Sequence, residues 1–221
     1  MKNIFNTFLN KANGVIFDVD GIIIDSEPIW DKAHPLFLSK FGVKSSRSAH
    51  NTMGMGMQEA MQIFKEEYQL SASIEELTNE ARNSVYELLF SSNNLVPMDG
   101  VLEMIEMLSG KKKLGIATGG HSVLIMEKIL ATLKINSHFL AIASCDDVTR
   151  EKPFPDVFLL ATKKLGISPE DCLVFEDSPN GVTAAKAAGM ITIAINKDKV
   201  LQKELQKAGA DVVVGSFTNL L

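Results

Sequence analysis

The stretch Phe17-Asp18-Val19-Asp20-Gly21-Ile22-Ile23-Ile24-Asp25-Ser26-Glu27-Pro28 decides how the rest of the chain is read. It begins where a short apolar run, residues 15–17, passes directly into two aspartates. Apolar residues on consecutive positions, without alternation, describe a strand buried on both faces. Five more runs of this kind follow, at 114–117, 139–143, 173–175, 191–195 and 212–214. Between them, apolar residues at helical spacing predict helices over 101–108, 123–133, 155–165, 183–188 and 200–208. Gly166, Gly189 and Gly209 stand where C-terminal caps belong. Strands alternating with helices make an α/β fold with a parallel sheet covered on both faces. In such folds ligands bind beyond the carboxyl ends of the strands, so chemistry is sought just after each one.

The alternation is interrupted once. Residues 26–97 hold no convincing strand, only helical patterns such as 57–68 and 74–90. They are expected to form an all-helical domain inserted into a core made of residues 1–25 and 98–221. Polar sequence at 25–28 and 93–97 supplies the two linker strands.

Composition narrows the function. The 221 residues are 46% hydrophobic and 22% charged, an ordinary globular balance that excludes disorder and fibrous repeats. A net charge of −5 without a long Lys/Arg run argues against nucleic acid and anionic membranes as partners. It leaves a single small anion open. Two cysteines, Cys145 and Cys172, are too few for a disulfide framework or a four-ligand zinc site and read as reduced core thiols. The first residues lack a long apolar region with a cleavage site, and no apolar run approaches the ~18 residues of a membrane span. A cytoplasmic protein is expected.

Four strand ends then stand out. Asp18 and Asp20 follow the first strand, where aspartates also serve as plain turn formers. Thr118-Gly119-Gly120 follows the second, as an anion-binding turn or an ordinary helix start. Lys152 precedes the rigid Pro153-Phe154-Pro155 segment, a place where a solvated lysine is also common. Glu176-Asp177-Ser178 closes the fourth, with Asp177 or Ser178 available as an N-cap. Taken together they supply a nucleophile, a hydroxyl and an ammonium for phosphate oxygens, and hard oxygen ligands suited to Mg²⁺.

At this level FDVDGIIIDSEP at 17–28, ATGG at 117–120, KPFPD at 152–156 and FEDSPNGV at 175–182 resemble the four motifs of the haloacid dehalogenase superfamily. The helical insert is similar to the C1 cap of its β-phosphoglucomutase-like subfamily. The resemblance implies a Rossmann-like three-layer core with strand order 5-4-1-2-3. It implies Asp18 as nucleophile forming an aspartyl-phosphate and Asp20 as general acid and base. Thr118, the Gly119 amide and Lys152 would hold the phosphoryl oxygens. Mg²⁺ would lie on Asp18, the Asp20 carbonyl and Asp177, with Glu176 ligating directly or through water. Family dehalogenases lack the second Asp, because halide leaves without a proton; Asp20 therefore points to an alkoxide leaving group.

The expected activity is hydrolysis of a small sugar or polyol phosphate, with a β-phosphoglucomutase-type mutase as the alternative. A mutase needs a cation for a second phosphate, yet none occurs between Arg47 and Lys65. Trp30 stands where the family's mutases carry a His, and DSEPIW resembles 2-deoxyglucose-6-phosphate-type phosphatases. Trp30 is a candidate for touching the substrate and also for the helical domain's own core. His50, Asn51 and Met55, in a glycine- and methionine-rich loop, are candidates for touching the leaving group. Gly119-Gly120 departs from the family, where Ser often follows the motif Thr. A non-catalytic phosphate binder or signalling receiver is disfavoured, since no motif residue is missing and the acidic pair comes last. A monomer acting on a phosphorylated metabolite is expected.

Overall fold

The computed structural model describes residues 2–44, 57–91, 95–119 and 123–221, without the side chains of Leu124 and Ile125. All six apolar runs are strands: β1 (Gly14–Phe17), β2 (Lys113–Thr118), β3 (Phe139–Ser144), β4 (Cys172–Glu176), β5 (Ile191–Ile195) and β6 (Val212–Val214). They form one parallel sheet in the order β3-β2-β1-β4-β5-β6. Five strands follow the expected order. The sixth extends the sheet beyond β5, where the Asp211 amide donates to the Thr192 carbonyl at 2.9 Å and the Asp211 carboxylate accepts the Thr192 amide at 2.8 Å. Every residue of β1 and β4 is buried, as runs without alternation require of central strands.

The chain falls into two compact units, Met1–Ile24 with Pro97–Leu221, and Asp25–Val96. In the first, the strands alternate with α5 (Val101–Leu108), α6 (Val123–Thr132), α7 (Asp156–Leu165), α8 (Pro179–Ala187) and α9 (Lys199–Lys207). They are numbered after α1 (Lys2–Lys11) and the three helices of the second unit. Phe5 of α1 is fully buried and packs on Phe175 at 6.1 Å between ring centres. Phe175 in turn meets Phe17 at 5.0 Å and Phe217 at 4.9 Å. Gly166 ends α7 in the left-handed conformation (φ 64°). Helix α8 starts at Pro179 rather than at the expected 183, because Ser178 caps it by accepting the Gly181 amide at 3.1 Å.

The second unit holds α2 (Glu27–Lys40), α3 (Met57–Glu67) and α4 (Ile74–Leu89), and no strand among its described residues. Phe37, Leu38, Met61, Phe64 and Leu77 form its core, and the half-buried Trp30 packs against them. Across the described residues no helix is long and apolar enough to cross a membrane.

Candidate active site

Register brings the predicted residues together before any side chain is considered. Phe17 pairs with Ile116 on one side and Phe175 on the other, so Asp18, Thr118 and Glu176 emerge on three adjacent strands at one end of the sheet. The Asp18 amide continues the ladder one step, donating to the Phe175 carbonyl at 3.0 Å. After it the chain turns sharply, with the Val19 carbonyl accepting from Ile22, Ile23 and Ile24. Gly21 makes this turn at φ 70°, and a Cβ there would lie 2.0 Å from Asp177 Oδ2. The glycine is needed twice, for the backbone and for the room that the Asp177 carboxylate fills.

Lys152 is the hub. Its ammonium donates to Asp18 Oδ1 at 2.7 Å, to Glu176 Oε1 at 2.7 Å and to the Ala117 carbonyl at 3.3 Å. The Phe158 ring lies 5.0 Å from the same nitrogen. A solvated lysine is thereby excluded at this position: its side chain is 11% exposed, and its two acidic partners lie at 8% and 0%. Glu176 Oε2 accepts from the Asp177 amide at 2.8 Å, the Ser178 amide at 2.9 Å and the Ser178 hydroxyl at 3.0 Å. Ser178 thus caps α8 and ties down Glu176 at once, a role that a reading of Ser178 as an N-cap alone leaves out.

Asp18, Glu176 and Asp177 present carboxylate oxygens within 4.8 Å of one another. Burial, and next the Lys152 ammonium working against it, sets the Asp18 carboxyl; with Glu176 and Asp20 adding to burial it stands at about 7. Burial, then Glu176, Asp18 and Asp20, push Asp177 well above the usual carboxylate range. For Lys152 burial works to lower the value, but Asp18 and Glu176 outweigh it and hold the ammonium charged well above the ordinary lysine range. So many carboxylates around one ammonium form an electrostatically unsatisfied group, and hard oxygen donors of this kind suit Mg²⁺.

Thr118 ends β2 fully buried, and Gly119 follows it half-buried, open except for Cys145 Sγ, which a Cβ there would meet at 3.9 Å. Asp20 is half-buried, bridged to Ile24. Trp30 belongs to the helical unit and packs on its core. His50, Asn51 and Met55 lie outside the described residues, as does Gly120. Both cysteines are buried free thiols, and burial pushes each up to about 11.

Comparison with known proteins follows the same residues. A family profile described as haloacid dehalogenase-like hydrolase matches residues 15–195. Fructose-1-phosphate phosphatase YqaB of Escherichia coli (strain K12) is 32% identical over 183 residues, 82% of this chain and 95% of that protein. Hexitol phosphatase B of the same organism is 30% identical over 208 residues, 93% and 92% of the two chains. A solved structure named as a putative beta-phosphoglucomutase from Thermotoga maritima is 30% identical with a TM-score of 0.71, covering 91% of this chain and 94% of its own. The matched span runs from β1 to the end of β5 and so takes in all four strand ends and the helical insert: the chain belongs to the haloacid dehalogenase-like hydrolase family.

Proposed function

We propose that the protein is a Mg²⁺-dependent phosphatase that hydrolyses a small sugar or polyol phosphate monoester through an aspartyl-phosphate on Asp18. The observation that carries this reading is the Asp18–Lys152 pair at 2.7 Å, buried beside Asp177 and two residues from a second aspartate. The curated relatives described above, named for fructose 1-phosphate and hexitol phosphates, support the substrate class.

In this reading Asp18 attacks phosphorus in line, and Lys152 is placed to follow charge from the carboxylate onto the transferring phosphoryl oxygens. The Thr118 hydroxyl and the Gly119 amide hold the remaining oxygens. Asp20 protonates the leaving alkoxide, then takes a proton from the water that cleaves the acyl phosphate. Asp18, Asp177 and the Asp20 carbonyl would hold Mg²⁺. The metal supplies positive charge that lets a carboxylate meet a phosphate dianion. Glu176 already accepts hydrogen bonds from Lys152, Asp177 and Ser178, so it is assigned the holding of Lys152 rather than of the metal. The helical unit Asp25–Val96 is assigned the role of a cap that selects the leaving group. We place the protein in the cytoplasm as a monomer; sedimentation at twice the 221-residue protomer mass would refute the latter.

The name of the Thermotoga maritima structure keeps a phosphosugar mutase as the second reading. One experiment separates the two. Phosphate release is measured with Mg²⁺ from C2–C6 sugar and polyol phosphates, beside isomerisation of β-glucose 1-phosphate with a bisphosphate activator. Hydrolysis that exceeds isomerisation and vanishes on chelation is expected. Isomerisation exceeding hydrolysis would replace the phosphatase with the mutase.

A further inference from the structure

Lys152 reaches the site from an irregular loop between β3 and α7. Between Arg150 and Asp156, Pro153 and Pro155 have no amide hydrogen to give. The Phe154 amide donates to the Glu151 carbonyl at 3.0 Å, which closes a turn within the loop. Yet the ammonium that this loop carries is placed at 2.7 Å from each of two carboxylate oxygens. Arg150 supplies an attachment. Its Nε donates to Asp156 Oδ1 at 3.1 Å and its Nη2 to Asp156 Oδ2 at 2.9 Å, a two-point fork. Its guanidinium lies over the Phe154 ring, 4.7 Å from the centre. Asp156 opens α7, whose Val157, Phe158, Ala161 and Leu165 are buried in the core.

We propose that Arg150 is a positioning residue for Lys152: by forking onto Asp156 and stacking on Phe154, it ties both ends of the 150–156 loop to α7. An exposed single-point ion pair contributes little to stability, but a bidentate one fixes direction as well as distance. Here what it fixes is the path of the backbone on either side of Lys152. The proposal rests on the reading of Lys152 as the cation that binds the transferring phosphoryl group.

The test compares Arg150→Met, Arg150→Lys and Asp156→Asn in the full chain, each alone and combined with Lys152→Met. Turnover of p-nitrophenyl phosphate with Mg²⁺, the dissociation constant of orthovanadate by calorimetry, and the thermal midpoint are measured. Arg150→Met and Asp156→Asn should each lower kcat about tenfold with KM unchanged within twofold, the size of effect a small misplacement produces. They should weaken vanadate binding by a similar factor. Arg150→Lys, which keeps the charge but not the fork, should recover less than half of the loss. On the Lys152→Met background, Arg150→Met should change vanadate binding less than twofold. A lower thermal midpoint with kcat unchanged, or an equal loss of vanadate binding with and without Lys152, would overturn the proposal. If Lys152→Met itself turns over at the wild-type rate, the reading of Lys152 fails. If Lys152→Met is inactive while Arg150→Met is fully active, only the positioning role fails.

Discussion

Gly181 has no side chain because the Glu176 carboxylate occupies the place where one would stand. A Cβ there would lie 1.7 Å from Oε1 and 2.3 Å from Oε2. The Gly181→Ala variant must therefore push aside a fully buried carboxylate that holds Lys152 and the turn into α8. Breaking a buried, hydrogen-bonded charge of this kind costs about 3 kcal/mol. Urea or thermal melts should show that loss, and an unchanged midpoint would mean that Glu176 tolerates displacement. Asp20 is tested by chemistry rather than stability. Asp20→Asn should fold normally and lose about 10²-fold or more in turnover of an alkyl phosphate, the usual contribution of a positioned acid–base group. Near wild-type turnover would remove Asp20 from proton transfer.

Among the elements, α1 is the one whose removal should be felt far from its own sequence. Phe5 is its only fully buried residue and closes the aromatic cluster of Phe17, Phe175 and Phe217 behind β1 and β4. Phe5→Ala should destabilise the protein by about 3–5 kcal/mol, measured as a shift in the urea midpoint with an unchanged slope. A shift below 1 kcal/mol would mean that the cluster closes without α1. This helix also marks where the sequence was hard to read. In α5 the apolar residues Val101, Met104, Ile105 and Leu108 sit at helical spacing and are the ones buried. In α1, Asn6 and Thr7 fall between the apolar residues and read as an interruption, although both simply face solvent. The strand ends were legible for a different reason: a parallel sheet places every such residue at one end, whatever its distance in sequence. What spacing could not give was the division of labour among them. The sharing of Lys152 between Asp18 and Glu176, and of Ser178 between Glu176 and α8, depends on contacts between separate strands and loops. Neither does sequence periodicity reveal the Arg150–Asp156 fork, since it lies in an irregular loop.

For the molecule as a whole, the insert enters and leaves through two segments that lie side by side. Ile24 bridges Pro97 antiparallel, the Met98 amide donates to the Ile23 carbonyl at 3.0 Å, and the Asp25 amide donates to the Val96 carbonyl at 2.8 Å. All six strands and the clusters packed on them belong to the unit Met1–Ile24 with Pro97–Leu221. Insertions whose two ends meet side by side are the kind that a folded host tolerates losing. Replacing residues 25–96 by a short Gly-Ser linker should therefore leave a unit that unfolds in one cooperative transition. Asp18, Asp20, Lys152 and Asp177 all stay in that unit, so Mg²⁺-dependent turnover of p-nitrophenyl phosphate should persist. Discrimination is a different matter, because the leaving-group contacts assigned to the insert disappear with it. Across the sugar and polyol phosphate panel, kcat/KM should flatten to within roughly threefold, since selectivity comes from differential contacts to the part of the substrate that varies. A truncated unit that folds and still discriminates as the full chain does would place selectivity in the strand-end loops, and would strip the helical unit of the role proposed for it.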